Sequence, residues 1–153
     1  MINEFKGRWF FLSNFYPCEI THQGITYKTV EAYYVAMKVN DEQLINGKYY
    51  TPGDFREMIA LIPEPGITKK IGQKVKLRKD WDTYKLEVMN WGVREKFKYP
   101  KLAEKLIDTG DEELIEGNWW HDNFYGSCTC TKCANKGRNE LGKILMNVRD
   151  DFK

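Results

Sequence analysis

The hydrophobic and polar positions along this chain change period several times, and the clearest period lies near its C-terminal end. Leu141, Ile144, Leu145, Val148 and Phe152 hold the i, i+3, i+4, i+7, i+11 spacing of one buried helical face. Upstream, two apolar stripes share one segment: Trp81, Tyr84, Val88 and Trp91 form the first, Leu86, Met89, Val93 and Phe97 the second. A helix apolar on two sides is buried between neighbours. This one is therefore expected at the centre of the fold, with Asp80 as its cap. Thr29 can N-cap a helix running to about Asn40. Thr51-Pro52-Gly53-Asp54 opens another, which carries Phe55, Met58, Ile59 and Ile62 and stops at Pro63 and Pro65. Shorter helices are expected over 67–75 and 102–107. Strand signals are few: "CEITHQGITYKT" (18–29) reads as a hairpin around Gly24, and 113–116 as a minor strand. No repeat, linker or low-complexity tract divides the chain. The expectation is a single domain over 1–153, mostly α (α+β), with helices around a central helix and a small N-terminal antiparallel hairpin.

Composition narrows the class. A chain of 153 residues can bury about 70% of its unfolded surface without disulfides or metals. Apolar residues at 42%, charged residues at 30% and a net charge of +2 exclude both a disordered chain and a general polyanion binder. No apolar run approaches the ~18 residues of a membrane span, and the first residues lack the basic and apolar regions of a secretory signal. A cytoplasmic protein without a membrane partner is expected. Its charge is uneven: Lys69, Lys70, Lys74, Lys76, Arg78 and Lys79 crowd eleven residues, while Asp108, Asp111, Glu112, Glu113 and Glu116 form an acidic counterpart. The basic run suits either a solvated face or a phosphate-attracting rim.

Three places carry candidate chemistry. Glu31 and Lys38 are seven residues apart, which puts them on one helical stripe about 10.5 Å apart in rise. A ligand between them can touch both, although each charge also suits the helix dipole at its own end. Ser13-Asn14 interrupts Phe10, Phe11, Leu12, Phe15 and Tyr16. That stretch is either a turn stapled by aromatics, or a place where Asn14 reads a sugar or base while Phe15 stacks on it. The third, "GNWWHDNFYGSCTCTKC" (117–133), reads as a metal knuckle, a sugar platform or an aromatic loop. Cys128, Cys130 and Cys133 give CxC and CxxC spacings, but a closed zinc site takes four ligands. His121, His22 and Cys18 are the candidates for the fourth, and the sequence alone does not bring one of them to the cluster. No metal and no other cofactor is assigned, and Trp119 and Trp120 are read as packing residues.

Six segments, "FLSNFYP" (11–17), "YKTVEAYYVAMK" (27–38), "LRKDW" (77–81), "VREKF" (93–97), "DNFYG" (122–126) and "GRNELGKILMNVR" (137–149), follow one another across nearly the whole chain. Together they resemble the NADAR family, the YbiA-like N-glycosidases. The resemblance implies a hydrolase that cleaves the N-glycosidic bond between a ribose and a base-like group. Two substrate classes go with it: ribosylamino-pyrimidine phosphates of the riboflavin pathway, and ADP-ribose attached to guanine. The second would make ADP-ribosylated nucleic acid a partner and reversal of DNA ADP-ribosylation the role. Carried over by position, the resemblance makes Glu31, Lys38 and Asp122 catalytic, Lys38 through a Schiff base with the sugar. It makes Ser13, Asn14, Phe15, Trp81, Tyr125, Gly126 and Asn139 substrate contacts. Arg149, on the expected exposed side of the last helix, would meet a carboxylate or a phosphate. The chain departs from many members by Tyr125 in place of tryptophan, by Ala32 in place of histidine, and by its CxCxxC cluster. A non-catalytic ADP-ribose or nucleotide-binding module and a metal-stabilised interaction domain stand as the alternatives.

Overall fold

A computed structural model describes all 153 residues. The chain gathers into two compact units, one of Asn14–Lys96 and one of Met1–Ser13 with Phe97–Lys153. Helices predominate, accompanied by three two-stranded sheets.

The Asn14–Lys96 unit begins with the expected hairpin. Strands β1 (Ile20–His22) and β2 (Ile25–Tyr27) pair antiparallel with Ile20 opposite Tyr27. Gln23 and Gly24 turn between them at φ 49° and 81°, the two positive values that a type I′ connection needs. A second hairpin, β3 (Gln43–Ile45) and β4 (Lys48–Tyr50), turns at Asn46-Gly47 with φ 50° and 79°. The sequence analysis missed it, although Asn-Gly is a strong hairpin signal. Its strands are three residues long and mostly exposed, so no alternation of buried and solvent positions marked them.

Helix α1 (Val30–Met37) buries every residue except Glu31. It stops at Met37, short of the expected Asn40, and Lys38 forms its C-cap. Around it pack α2 (Pro52–Leu61), α3 (Pro65–Gly72) and α4 (Trp81–Lys96). The helix surrounded by others in this unit is therefore α1, not α4. A short helix without a polar face has this fate, and two glycines make room for it. A Cβ on Gly72 would stand 2.8 Å from Val35 Cγ2, and one on Gly92 2.8 Å from Tyr33 Cδ2. The Asp80 carbonyl accepts from the N–H groups of Thr83 and Tyr84 at the start of α4, while its carboxylate is gripped by Arg78 at 2.6 and 3.1 Å.

The other unit holds a 3-10 turn (Gly7–Leu12) that buries Phe11 and Leu12, then α5 (Pro100–Ile107) and α6 (Glu140–Asp151). Residues 113–116 form no strand of their own. Instead Ile2 bridges Leu114, with Ile2 N–H donating to Glu113 O and Ile115 N–H to Ile2 O, both at 2.8 Å. Strands β5 (Gly117–Asn118) and β6 (Ser127–Cys128) pair in parallel. Helix α6 buries Leu141, Ile144, Leu145 and Val148 as its period requires, but Phe152 lies at its end and is 38% exposed. Arg149 corrects its sequence assignment: it is only 4% exposed, and its Nη1 donates to Thr109 Oγ1 at 2.9 Å and to Glu112 O at 2.8 Å. Those bonds make it a brace for the 109–112 turn.

Candidate functional site

The site builds from α1 outward. Thr29 caps the helix by accepting from Ala32 N–H at 3.0 Å, and the Asn14 carbonyl accepts from Glu31 N–H at 3.1 Å. The turn at Asn14 is thereby fastened to the first turn of α1. Asn14 is itself buried, with Nδ2 on Met89 Sδ at 3.4 Å, so part of its amide is committed to α4. Glu31, half-buried at the positive end of α1, is the one charged side chain on that helix. Phe15 sits half-buried, with the Lys69 ammonium 5.8 Å from its ring centroid.

Lys38 closes the same flank. Its Nζ donates to Gly72 O at 3.2 Å and stands 5.6 Å from the ring centroid of Tyr34. Burial pushes its pKa down from the ordinary lysine value; Glu31 opposes that shift, and Lys85 and Lys69 add to it. Carboxylate and amine thus lie within electrostatic reach of each other, with two further cations close by. This arrangement favours an amine that sheds its proton more readily than a surface lysine does. Trp81, expected as a substrate contact, is almost wholly covered. Its ring is 5% exposed and packs on Tyr34 at 5.0 Å, so it fixes the ring beneath the amine. Tyr34 and Lys85 were not among the expected site residues, and Lys69 entered only through the basic run. Tyr34 left a signal of its own, four residues before Lys38.

The basic run divides in the structure. Lys69 stands by the Phe15 ring and acts electrostatically on Lys38, Arg78 is held by Asp80, and Lys76 lies 4.0 Å from Asp41. Lys70, Lys74 and Lys79 are exposed.

The remaining candidates belong to the other unit. Ser13 ends the 3-10 turn, its N–H donating to Phe10 O at 2.9 Å. Asp122 Oδ1 accepts from Phe124 N–H at 3.1 Å and Tyr125 N–H at 3.0 Å. The Tyr125 ring meets Phe124 edge-on at 4.7 Å. Gly126 and Asn139, also expected as substrate contacts, carry structural duties as well. A Cβ on Gly126 would lie 2.2 Å from Glu116 O, and Gly126 O accepts from Asn139 N–H at 3.1 Å. The Asn139 amide accepts from Glu116 N–H at 3.0 Å and donates to Leu114 O at 2.8 Å, which ties each of its ends to the 114–116 segment. Trp119 and Trp120 are not packing residues: they are 69% and 41% exposed, with rings edge-to-face 5.6 Å apart.

Two surface hollows lie elsewhere. One is lined by Tyr49, Tyr50, Met58, Leu61 and Pro63, the other by Asn3, Glu4, Gly117, Trp119 and Thr129, and neither includes a residue expected at the site. One potential metal group is assembled, His121 with Cys128, Cys130 and Cys133. His22 and Cys18, the other candidates for a fourth ligand, belong to the Asn14–Lys96 unit. No helix is long and apolar enough to cross a membrane.

A helix-rich α+β chain thus carries an acid and a softened amine on one helical flank. The NADAR domain family model matches residues 3–153, and the chain belongs to that family. It is 35% identical to the N-glycosidase Npun_R5314 of Nostoc punctiforme, over 92% of this chain and 84% of that one. With the N-glycosidase YbiA of Escherichia coli the identity is 30%, over 92% and 79%. The riboflavin biosynthesis protein VVA0006 of Vibrio vulnificus is 35% identical over 94% of this chain, which spans only 35% of that protein's length. The NMR structure of E. coli YbiA superposes with a TM-score of 0.76 at 27% identity, covering 99% of this chain and 86% of that one. The two relatives covered over most of their length are both named N-glycosidases, and the family function is of N-glycosidase type.

Proposed function

We propose that the chain hydrolyses the bond between C1 of a ribose 5-phosphate and the amino nitrogen of a riboflavin-pathway pyrimidine, with Lys38 as nucleophile and Glu31 as the stabilising carboxylate. The observation that carries this reading is the half-buried Lys38 amine on the Glu31 flank of α1, its Nζ 3.2 Å from Gly72 O, with its pKa lowered by burial and by Lys85 and Lys69 and raised by Glu31. The riboflavin name borne by the Vibrio relative favours this substrate class.

The neutral Lys38 amine bonds to C1 as the bond from C1 to the pyrimidine nitrogen breaks, and the proton shed by the amine goes to that leaving nitrogen. Positive charge builds on C1 and the ring oxygen, where the Glu31 carboxylate opposes it. Opening of the ring C–O bond leaves its electron pair on the oxygen, which takes a proton from solvent, and an iminium joins Lys38 to C1. Water adds to the iminium, the sugar departs as its aldehyde, and the neutral amine returns. The net reaction consumes one water. Lys69 and Lys85 supply the cationic surroundings that a 5'-phosphate requires.

Incubation with a ribosylamino-pyrimidine phosphate and, separately, with ADP-ribosylated guanine in DNA tests the substrate. Release of the pyrimidine at the higher rate is expected. Turnover of the guanine adduct alone would overturn the assignment of substrate, and turnover of neither would overturn the enzymatic reading.

A further inference from the structure

We propose that His121, Cys128, Cys130 and Cys133 hold one zinc ion as a closed, structural centre. The His121 Nδ1 lies 3.6 Å from Cys128 Sγ, 3.6 Å from Cys130 Sγ and 3.4 Å from Cys133 Sγ. All four donor atoms fall within 4.8 Å of one another. Zinc bonds of about 2.3 Å to sulfur and about 2.0–2.1 Å to nitrogen, at a tetrahedral angle, separate nitrogen from sulfur by about 3.6 Å. The geometry is that of a coordination shell around a centre. Hydrogen bonding does not explain it, because one ring nitrogen offers a single in-plane donor or acceptor direction, while three sulfurs converge on Nδ1. A cation in the middle satisfies all four groups at once.

The backbone is shaped to the same end. Cys133 N–H donates to Cys130 Sγ at 3.3 Å, Ala134 N–H to Cys130 O at 2.8 Å, and Asn135 N–H to Cys128 O at 3.0 Å. Ala134 and Asn135 turn the chain back at φ 54° and 59°, and His121 stands at φ 68°, a region that residues other than glycine enter infrequently. Cys128 is anchored in β6, its N–H donating to Asn123 Oδ1 at 2.8 Å. Three thiolates and an imidazole are a donor set for zinc rather than for magnesium or calcium. Four protein ligands leave no open position for water or substrate, so the role is to hold structure. The ion would clip residue 121 to residues 128–133 and thereby fix the intervening "DNFYG" segment.

Metal analysis of the protein purified under reducing conditions, paired with cobalt titration of the metal-stripped wild type, tests the proposal. One zinc per chain is expected, together with the intense visible bands of a tetrahedral thiolate site when cobalt replaces it. In competition with a chromophoric chelator, Cys130→Ser and His121→Ala should each weaken zinc binding by at least about tenfold. Cys18→Ser, at the fourth cysteine, should leave it unchanged. The wild-type titration decides the matter even where a variant fails to fold. Reduced wild type that takes up no zinc or cobalt, iron found in place of zinc, or binding unaffected by both cluster substitutions would overturn the proposal.

Discussion

At the scale of single residues the account turns on how the Lys38 amine is set against its neighbours. Burial lowers its pKa, Glu31 raises it, and Lys85 and Lys69 lower it. The trapping rate of a sugar adduct should therefore climb with pH and level off below pH 10.5, the ordinary value for a lysine. Glu31→Gln removes the group that holds the pKa up, so its profile should move to lower pH, while cleavage falls by about 10²-fold or more. Lys69→Met removes an opposing cation and should move the profile to higher pH. Stability follows the same sign. A lysine with a depressed folded pKa penalises the native state where it is protonated, and that penalty is relieved as pH rises from its folded pKa toward 10.5. Profiles that stay put in both variants would disprove the electrostatic reading. The spacing of Glu31 and Lys38 was legible in the sequence because both lie on one helix. Lys69 and Lys85 were not, since they come from α3 and α4 and reach the amine only through packing on α1. The burial of Trp81 was not legible, because periodicity gives an aromatic a face but does not say whether that face is covered.

At the scale of elements, capping and turn chemistry were the readable part. Thr29 and Thr51 both cap as expected, each accepting from the N–H three residues on, and Thr29→Ala should cost about 1 kcal/mol in urea denaturation. Close backbone approach was not readable. Gly126 was expected to meet substrate, yet its reason for being glycine is Glu116 O at 2.2 Å from any added Cβ. Gly126→Ala should lower stability by about 3 kcal/mol or more, since the obstacle is backbone and cannot swing aside. An alanine variant of unchanged stability would return Gly126 to the ligand side. The β3–β4 hairpin shows the opposite lesson, for its Asn46-Gly47 turn was plain while its three-residue exposed strands gave no pattern to support it. Continuous apolar character likewise marked α1 as buried on all sides, but the longer α4 with its two stripes drew the central place in the sequence reading.

At the scale of the whole molecule, the family model runs over residues 3–153 and so embraces both compact units. The helix-rich α+β class was recoverable from period and punctuation. Grouping of Met1–Ser13 with Phe97–Lys153 was not, because it depends on pairing such as that of Ile2 with Leu114, far apart in sequence. The proposed chemistry draws on the Asn14–Lys96 unit, and the proposed zinc centre on the other, so each can fail without the other. The most direct trial of the central claim is borohydride reduction during turnover of the ribosylamino-pyrimidine phosphate, followed by intact mass and peptide mapping. The account predicts one sugar per chain, carried by the peptide containing Lys38 and absent from Lys38→Ala. Turnover without any trapped sugar, or a sugar on a different lysine, would contradict it.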